Sequence, residues 1–205
     1  MNPAPMIRCE DIPHHVDFRH LAQIEGVAHD LRYASSNNFS GRVLYSNIDC
    51  AFLRREAAEG LALAAQWLAV QRPGWRLLVL DALRPQRVQE AIWKDAKGTP
   101  IEHYFANPEP GSIHSYGMAV DVTIKAADGA ELDMGTVFDA MTPASHPELH
   151  AEHLALGVLT AQQITHRGWL QAALSRGGFV GIGTEWWHFD FGERKALRAR
   201  CPKVY

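Results

Sequence analysis

Two short runs hold residue types that can bind a metal ion and do acid–base work. "SIHSYGMAVD", Ser112 to Asp121, carries a histidine and an aspartate seven residues apart, and "EWWHF", Glu185 to Phe189, places a glutamate three residues before another histidine. Zinc in hydrolases takes three protein ligands drawn from His and Asp/Glu and leaves a position for water. His114, Asp121 and His188 form such a set, with one zinc ion expected per chain. Glu185 is then left over as a general base. A rival set lies in "SHPELHAEHLALG", where His146, His150 and His153 fall at i, i+4 and i+7 and form one stripe if the segment is helical. Its plainer reading is a solvated face with mixed charges, because no carboxylate base accompanies it.

The local patterns say how the first set is held. "MAVDVTI" alternates and is β-branched, so it reads as a strand in which Asp121 shares a face with Ala119 and Thr123 while Val120, Val122 and Ile124 take the other. A carboxylate buried on such a face needs a partner, and a cation supplies one. His114 sits in the turn entering this strand, with Gly117 allowing a tight bend. Glu185 and His188 differ in strand parity. Either Glu185 lies at a loop–strand junction after Gly183, or ExxH is helical with both side chains on one face. The neighbouring aromatics Trp186, Trp187, Phe189 and Phe191 favour a strand, with the two tryptophans as core and pocket wall.

Around these runs, "YASSNNFSGRVLY" is polar and turn-rich with strand fragments at its edges. A helix is expected from roughly Ala51 to Gln71, closed by Pro73-Gly74. "WRLLVLDALRP" has strand length, and Arg84-Pro85 holds Arg84 extended. "QRVQEAIWKDAK" is a second helix, followed by an irregular stretch from Gly98 to Gly111. "AADGAEL" reads as a hairpin turn, Gln162 to Ser175 as a third helix, and "FVGIGTEWWHFDF" as the last strand unit. This order implies an α+β fold with a mostly antiparallel central sheet flanked by helices. No repeat or linker interrupts it, so residues 1–205 are expected to form a single domain.

The composition is that of an ordinary globular chain, 47% hydrophobic and 21% charged, with a formal charge of −3. Without a basic excess, nucleic acid is not an expected partner. No apolar run approaches membrane-spanning length, and "MNPAPMIRCEDIPHH" lacks the apolar core of a signal peptide. Cys9, Cys50 and Cys201 are odd in number and widely spaced, which suits reduced thiols and a cytoplasmic location.

"SIHSYGMAVD" fits SxHxxGxAxD and "EWWH" fits ExWH, and together they resemble the zinc D-Ala-D-Ala metallopeptidases that share a fold with the hedgehog signalling domain. "YASSNNFSG", "DALRP" and "DMGTVFDAMTPASH" are similar to one branch, the D-alanyl-D-alanine dipeptidases of the vancomycin-resistance type. The likeness runs from about Tyr33 to Phe189. It implies that His114, Asp121 and His188 are zinc ligands and Glu185 the catalytic base. It also implies that Arg84 assists the transition state, and that Ser112 and Asp139 lie near the site for the substrate's free amino group. Without it, Arg84 reads as one half of a surface ion pair with Asp81. The implied activity is hydrolysis of a small dipeptide, D-alanyl-D-alanine, to two D-alanines. Alternatives are a D,D- or L,D-carboxypeptidase acting on longer peptidoglycan peptides, and a non-catalytic zinc-binding module of the same fold. The stretch Gly98 to Gly111 is expected to wall a small pocket.

Overall fold

The computed structural model describes residues 6–205. In chain order its elements are β1 (Phe18–His20), β2 (Val27–His29), β3 (Phe52–Arg54), α1 (Arg55–Gln71), β4 (Arg76–Asp81), α2 (Gln86–Ala96), β5 (Ala119–Lys125), α3 (His150–Ala155), α4 (Ala161–Arg176), β6 (Phe179–Gly181), β7 (His188–Phe191) and α5 (Arg194–Arg200). Five strands form one sheet in the order β2-β4-β5-β7-β6, and β1 pairs with β3 in a separate ribbon. Only β2–β4 is parallel; the other pairs of the main sheet are antiparallel. The expected α+β architecture is therefore observed.

The two faces of the sheet do different work. Leu77 and Val79 pair with Ile124 and Val122, and Val120 pairs with Phe189, so these side chains share a face. They join Ala57, Leu61, Ala64 and Leu68 of α1 and Leu170, Ala173 and Leu174 of α4 in one core. The opposite face carries Asp121, His188 and Asp190, as strand parity requires. Over it lies a second apolar cluster built from Tyr33, Tyr45, Leu83, and Val88 and Ile92 of α2.

Helices α1 and α4 approach at Gly60 and Gly177. A Cβ added to Gly60 would lie 2.4 Å from the Gly177 carbonyl and 2.5 Å from a Phe191 ring carbon. Only a residue without a side chain lets the backbones meet this closely.

Several expectations need correction. The helix expected from Ala51 begins at Arg55, because Phe52–Arg54 pair with Phe18–His20 instead. The Arg54 N–H donates to the Gly117 carbonyl at 2.9 Å, so tertiary pairing outweighs helix propensity there. The "AADGAEL" turn forms, with Ala126 N–H donating to Ala130 O, but its return arm makes one bridge, Lys125 to Glu131, rather than a strand. The last unit is a pair of antiparallel strands, with residues 182–187 as the loop between them. The rival histidines do not form one stripe, nor are they a solvated face, since His153 is buried and His146 and His150 are half-buried. Pro147–Leu149 is a short 3-10 helix, so His146 lies outside the α-helix that starts at His150. His146 Nε2 meets the Tyr104 hydroxyl, whereas His150 Nε2 meets Arg167.

The close crossing predicts that Gly60→Ala destabilises the fold by about 1–3 kcal/mol through overpacking. Gly168→Ala, in open space on α4, should stabilise it by about 0.5–1 kcal/mol through helix propensity. Denaturant midpoints for the two variants check this, and shifts of the same sign would refute it.

Candidate active site

Three neighbouring strands set one row of polar side chains. The register between β4 and β5 slips between Val79 and Asp81, so that Asp81 stands opposite Asp121, and on β7 His188 stands opposite Asp121. The extra residue, Leu80, is what brings the two carboxylates into the same row. Two buried carboxylates side by side repel one another unless a cation bridges them. Arg84, three residues past the end of β4, does so. Its Nη2 donates to Asp81 Oδ2 at 2.7 Å and to Asp121 Oδ2 at 3.3 Å, and its Nε donates to Asp81 Oδ2 at 2.9 Å. Nη1 donates to Gln89 Oε1 at 3.1 Å, and the guanidinium lies 4.9 Å from the centre of the Tyr33 ring. The ion pair with Asp81 anticipated from sequence is real, but it is buried rather than on the surface. A guanidinium has five N–H donors; four are committed here, which leaves one on Nη1.

His114 comes from the 3-10 helix Ile113–Tyr116, which ends at Gly117 with φ +68°. A Cβ at Gly117 would lie 2.8 Å from the Phe18 ring, so the bend needs glycine on both counts. His114 Nδ1 donates to the Ala82 carbonyl at 2.7 Å, and His188 Nε2 donates to Asp190 Oδ1 at 2.9 Å. A carbonyl and a carboxylate can only accept, so each imidazole carries its outer proton and turns its other nitrogen inward. The inward atoms form a triangle. His114 Nε2 is 3.1 Å from His188 Nδ1, Asp121 Oδ1 is 3.0 Å from His188 Nδ1, and it is 3.3 Å from His114 Nε2.

Two lone-pair nitrogens cannot bond to one another, so something positive must sit among these three atoms. A proton on His188 would do so. Burial opposes a charged His188, but its hydrogen bonds to Asp121 and Asp190 outweigh this and push its pKa up to about 10. Burial likewise opposes ionisation of Asp121, but the charge of His114 and the hydrogen bonds from both histidines hold it well below the usual carboxylate range. A divalent cation would serve the same purpose. A tetrahedral zinc with bonds near 2.0–2.1 Å has ligand–ligand edges of about 3.3–3.4 Å, close to those of this triangle. Among the described residues, these three are the group of His, Cys, Asp or Glu whose ligand atoms converge in this way.

Glu185 lies in the loop before β7, the junction arrangement rather than the helical one. None of the described residues donates a hydrogen bond to its carboxylate. Burial pushes its pKa up to about 7, helped by the charge of Asp121 and opposed by His188 and Arg84. Asp139 is also buried and adopts a left-handed φ of 61°. Its Oδ1 accepts from the Tyr33 hydroxyl at 3.4 Å and its Oδ2 from the Phe39 N–H at 3.3 Å. Burial, then the charge of Asp121, raises its pKa well above the usual value.

All seven residues singled out from sequence, Ser112 and Asp139 included, line one cavity of about 260 Å³. That is smaller than the ~300–1,000 Å³ of sites for drug-sized ligands. Residues 103–106 of the irregular stretch form one wall, as expected, and Trp187 is part of another. Sequence reasoning missed Asp190, which orients His188, and Arg194, whose Nε and Nη2 hold Asp190 Oδ2 at 2.6 and 2.5 Å. It also missed Tyr45, whose hydroxyl donates to Asp81 at 2.5 Å, and Tyr33. Asp190 was detectable, since it sits two residues after His188 on the same strand face. Nothing local marked Tyr33 or Tyr45.

A triangle of possible ligand atoms and a buried carboxylate lining one cavity make an arrangement that a metallopeptidase could use. Sequence comparison makes the class particular. A family model described as D-ala-D-ala dipeptidase, of the M15 peptidases, matches residues 14–204, and the chain belongs to that family. It is 37% identical over 161 residues to the D-alanyl-D-alanine dipeptidase of Escherichia coli (strain K12), covering 78% of this chain and 77% of that one. The D-alanyl-D-alanine dipeptidase of Enterococcus faecium is 30% identical over 183 residues, covering 81% and 86%. Among solved structures, the LdcB LD-carboxypeptidase aligns with 90% of this chain and 72% of its own, at 17% identity and a TM-score of 0.48.

The raised pKa of Glu185 has a consequence for the metal-free protein. Unfolded, the group ionises near 4.5; folded, it holds its proton to about 7. Between these values the folded state binds the extra proton, so this contribution to stability is complete below about 4.5 and is lost as pH rises to about 7. Glu185→Gln removes it. Chelator-treated wild type should therefore lose stability relative to Glu185→Gln across that window, measured by urea midpoints. Parallel profiles would show that the carboxylate is not desolvated.

Proposed function

We propose that the chain is a single-domain, zinc-dependent dipeptidase that hydrolyses D-alanyl-D-alanine to two molecules of D-alanine. The observation that carries this reading is the triangle of His114, Asp121 and His188 set beside the unpaired Glu185 in a cavity of about 260 Å³. The names of the relatives support the substrate, and the volume favours a free dipeptide over a long wall peptide.

In this reading His114 Nε2, Asp121 Oδ1 and His188 Nδ1 hold the zinc. Its chemistry when bound is Lewis acidity, which brings the pKa of water toward about 7 and polarises a carbonyl. Glu185 takes a proton from the attacking water and delivers it to the departing amine nitrogen. A carboxylate whose surroundings place its pKa near neutrality suits both halves of that transfer. Arg84 turns its one uncommitted N–H, on Nη1, toward the oxygen that becomes negative. Because Asp81, Asp121, Gln89 and Tyr33 fix the guanidinium beforehand, little reorganisation is needed when charge develops. Asp139, held in a left-handed backbone conformation at the cavity wall, takes the substrate ammonium, and Ser112 lines the same cavity. An ammonium there would offset the burial and the nearby Asp121 charge that raise the Asp139 pKa. Three free, buried cysteines fit a reducing, cytoplasmic setting, where the free dipeptide would be met.

The central test compares free D-alanyl-D-alanine with a muramyl pentapeptide as substrates of the zinc-loaded protein. Rapid release of D-alanine from the dipeptide alone is expected; preference for the longer peptide would make it a carboxypeptidase. Glu185→Ala should retain zinc by metal analysis yet lose at least about 10³-fold in kcat, and survival of activity within a few-fold would mean the base is misassigned. Asp190→Asn, which weakens the hold on His188, should lower zinc affinity by about 10–100-fold. Competition with a chelating dye reads this directly.

A further inference from the structure

A dipeptide carries a carboxylate as well as an ammonium, and the groups assigned so far leave the carboxylate without a cation. Three arginines line the cavity: Arg84, Arg194 and Arg198. Arg84 is bound to Asp81 and Asp121, and Arg194 to Asp190. Arg198 differs. No carboxylate of the described residues pairs with it. Its one hydrogen bond among them runs from Nη2 to the Gly111 carbonyl at 3.0 Å, and its Nε is buried without a partner. A buried N–H left unsatisfied costs about 1–3 kcal/mol unless something accepts from it.

Resting on the dipeptidase reading, we propose that Arg198 is the anchor for the free carboxylate of the substrate. The helix that carries it is fixed for the purpose. Leu197 is buried in the core, and the Glu193 side chain caps the start of α5 by accepting from the Lys195 and Ala196 N–H groups. Arg194 and Arg198 are one turn apart and both reach the cavity. Arg194 supports His188 through Asp190, which leaves Arg198 to face the ligand. Its bond to Gly111 ties it to the segment that leads through Ser112 to His114. Asp139 belongs to a different wall, among Tyr33 and Phe39. The cavity thus offers the Asp139 carboxyl group on one wall and an unpaired cationic group on another, with the His114–Asp121–His188 triangle also opening into it. A zwitterion of fixed length matches that pattern, and Arg198 Nη1, which has no hydrogen-bond partner among the described residues, leaves N–H groups for a carboxylate.

The test uses the zinc-loaded full chain with two substrates, D-alanyl-D-alanine and its C-terminal amide, which is neutral at that end. Wild type should prefer the acid. Arg198→Ala should lose about 10–100-fold in kcat/KM on the acid, chiefly through KM, while the amide changes by less than about 3-fold. Arg198→Gln, which keeps a donor for Gly111 but no charge, should lose the same preference, and it serves if the alanine variant does not fold. Equal losses on both substrates would make Arg198 a structural residue only, and an unchanged preference for the acid in either variant would also overturn the proposal. Should wild type cleave neither substrate, the dipeptidase reading fails separately. D-alanine should then still stabilise wild type against heat, and do so more than D-alaninamide and more than it stabilises Arg198→Gln; no difference overturns the carboxylate site.

Discussion

A carboxylate with almost no contact with water, Asp121, is the constraint around which the rest is arranged. Burying one negative charge is expensive, and placing a second, Asp81, opposite it on the adjacent strand is more so. The fold meets that cost with directional partners rather than distance. One oxygen of Asp121 is given to Arg84 and the other faces two imidazoles. This division leaves one oxygen facing the two imidazole nitrogens, in the position the proposed cation would share.

The partners are themselves held from behind. His114 is oriented by a backbone carbonyl, His188 by Asp190, Asp190 by Arg194, and Arg84 by Asp81, which in turn accepts from Tyr45. Such outer contacts set which ring nitrogen carries the proton, and so which one offers a lone pair. These side chains therefore hold one another in place within the protein itself, and two arginines that line the cavity are committed to this support. The apolar face of the same sheet, packed on α1 and α4, supplies the rigid backing.

Much of this was legible in the sequence because strand parity and glycine turns are local signals. The alternation around Asp121, the bend at Gly117 and the loop position of Glu185 all follow from neighbours a few residues away. What was not legible depended on distant contacts. Phe52–Arg54 became a strand because Phe18–His20 lay alongside, a partnership no local pattern reveals. Tyr33 and Tyr45 reach the site from the edges of a turn-rich segment where strand fragments were expected and none forms. The histidine stripe is broken because Pro147 starts a tighter 3-10 turn and puts His146 outside the α-helix. The burial of Arg84 depended on a one-residue register slip at Leu80, which side-chain pattern alone does not disclose.

The ends of the main sheet carry one more implication. Its two outer strands, β2 and β6, have only three residues each, while the longest strand, β5, is held between neighbours on both sides. An open sheet invites other chains to add strands along its free margins. Margins this short offer few unpaired backbone groups, so a molecule that concentrates its polar chemistry in the middle rows stays resistant to polymerising edge to edge.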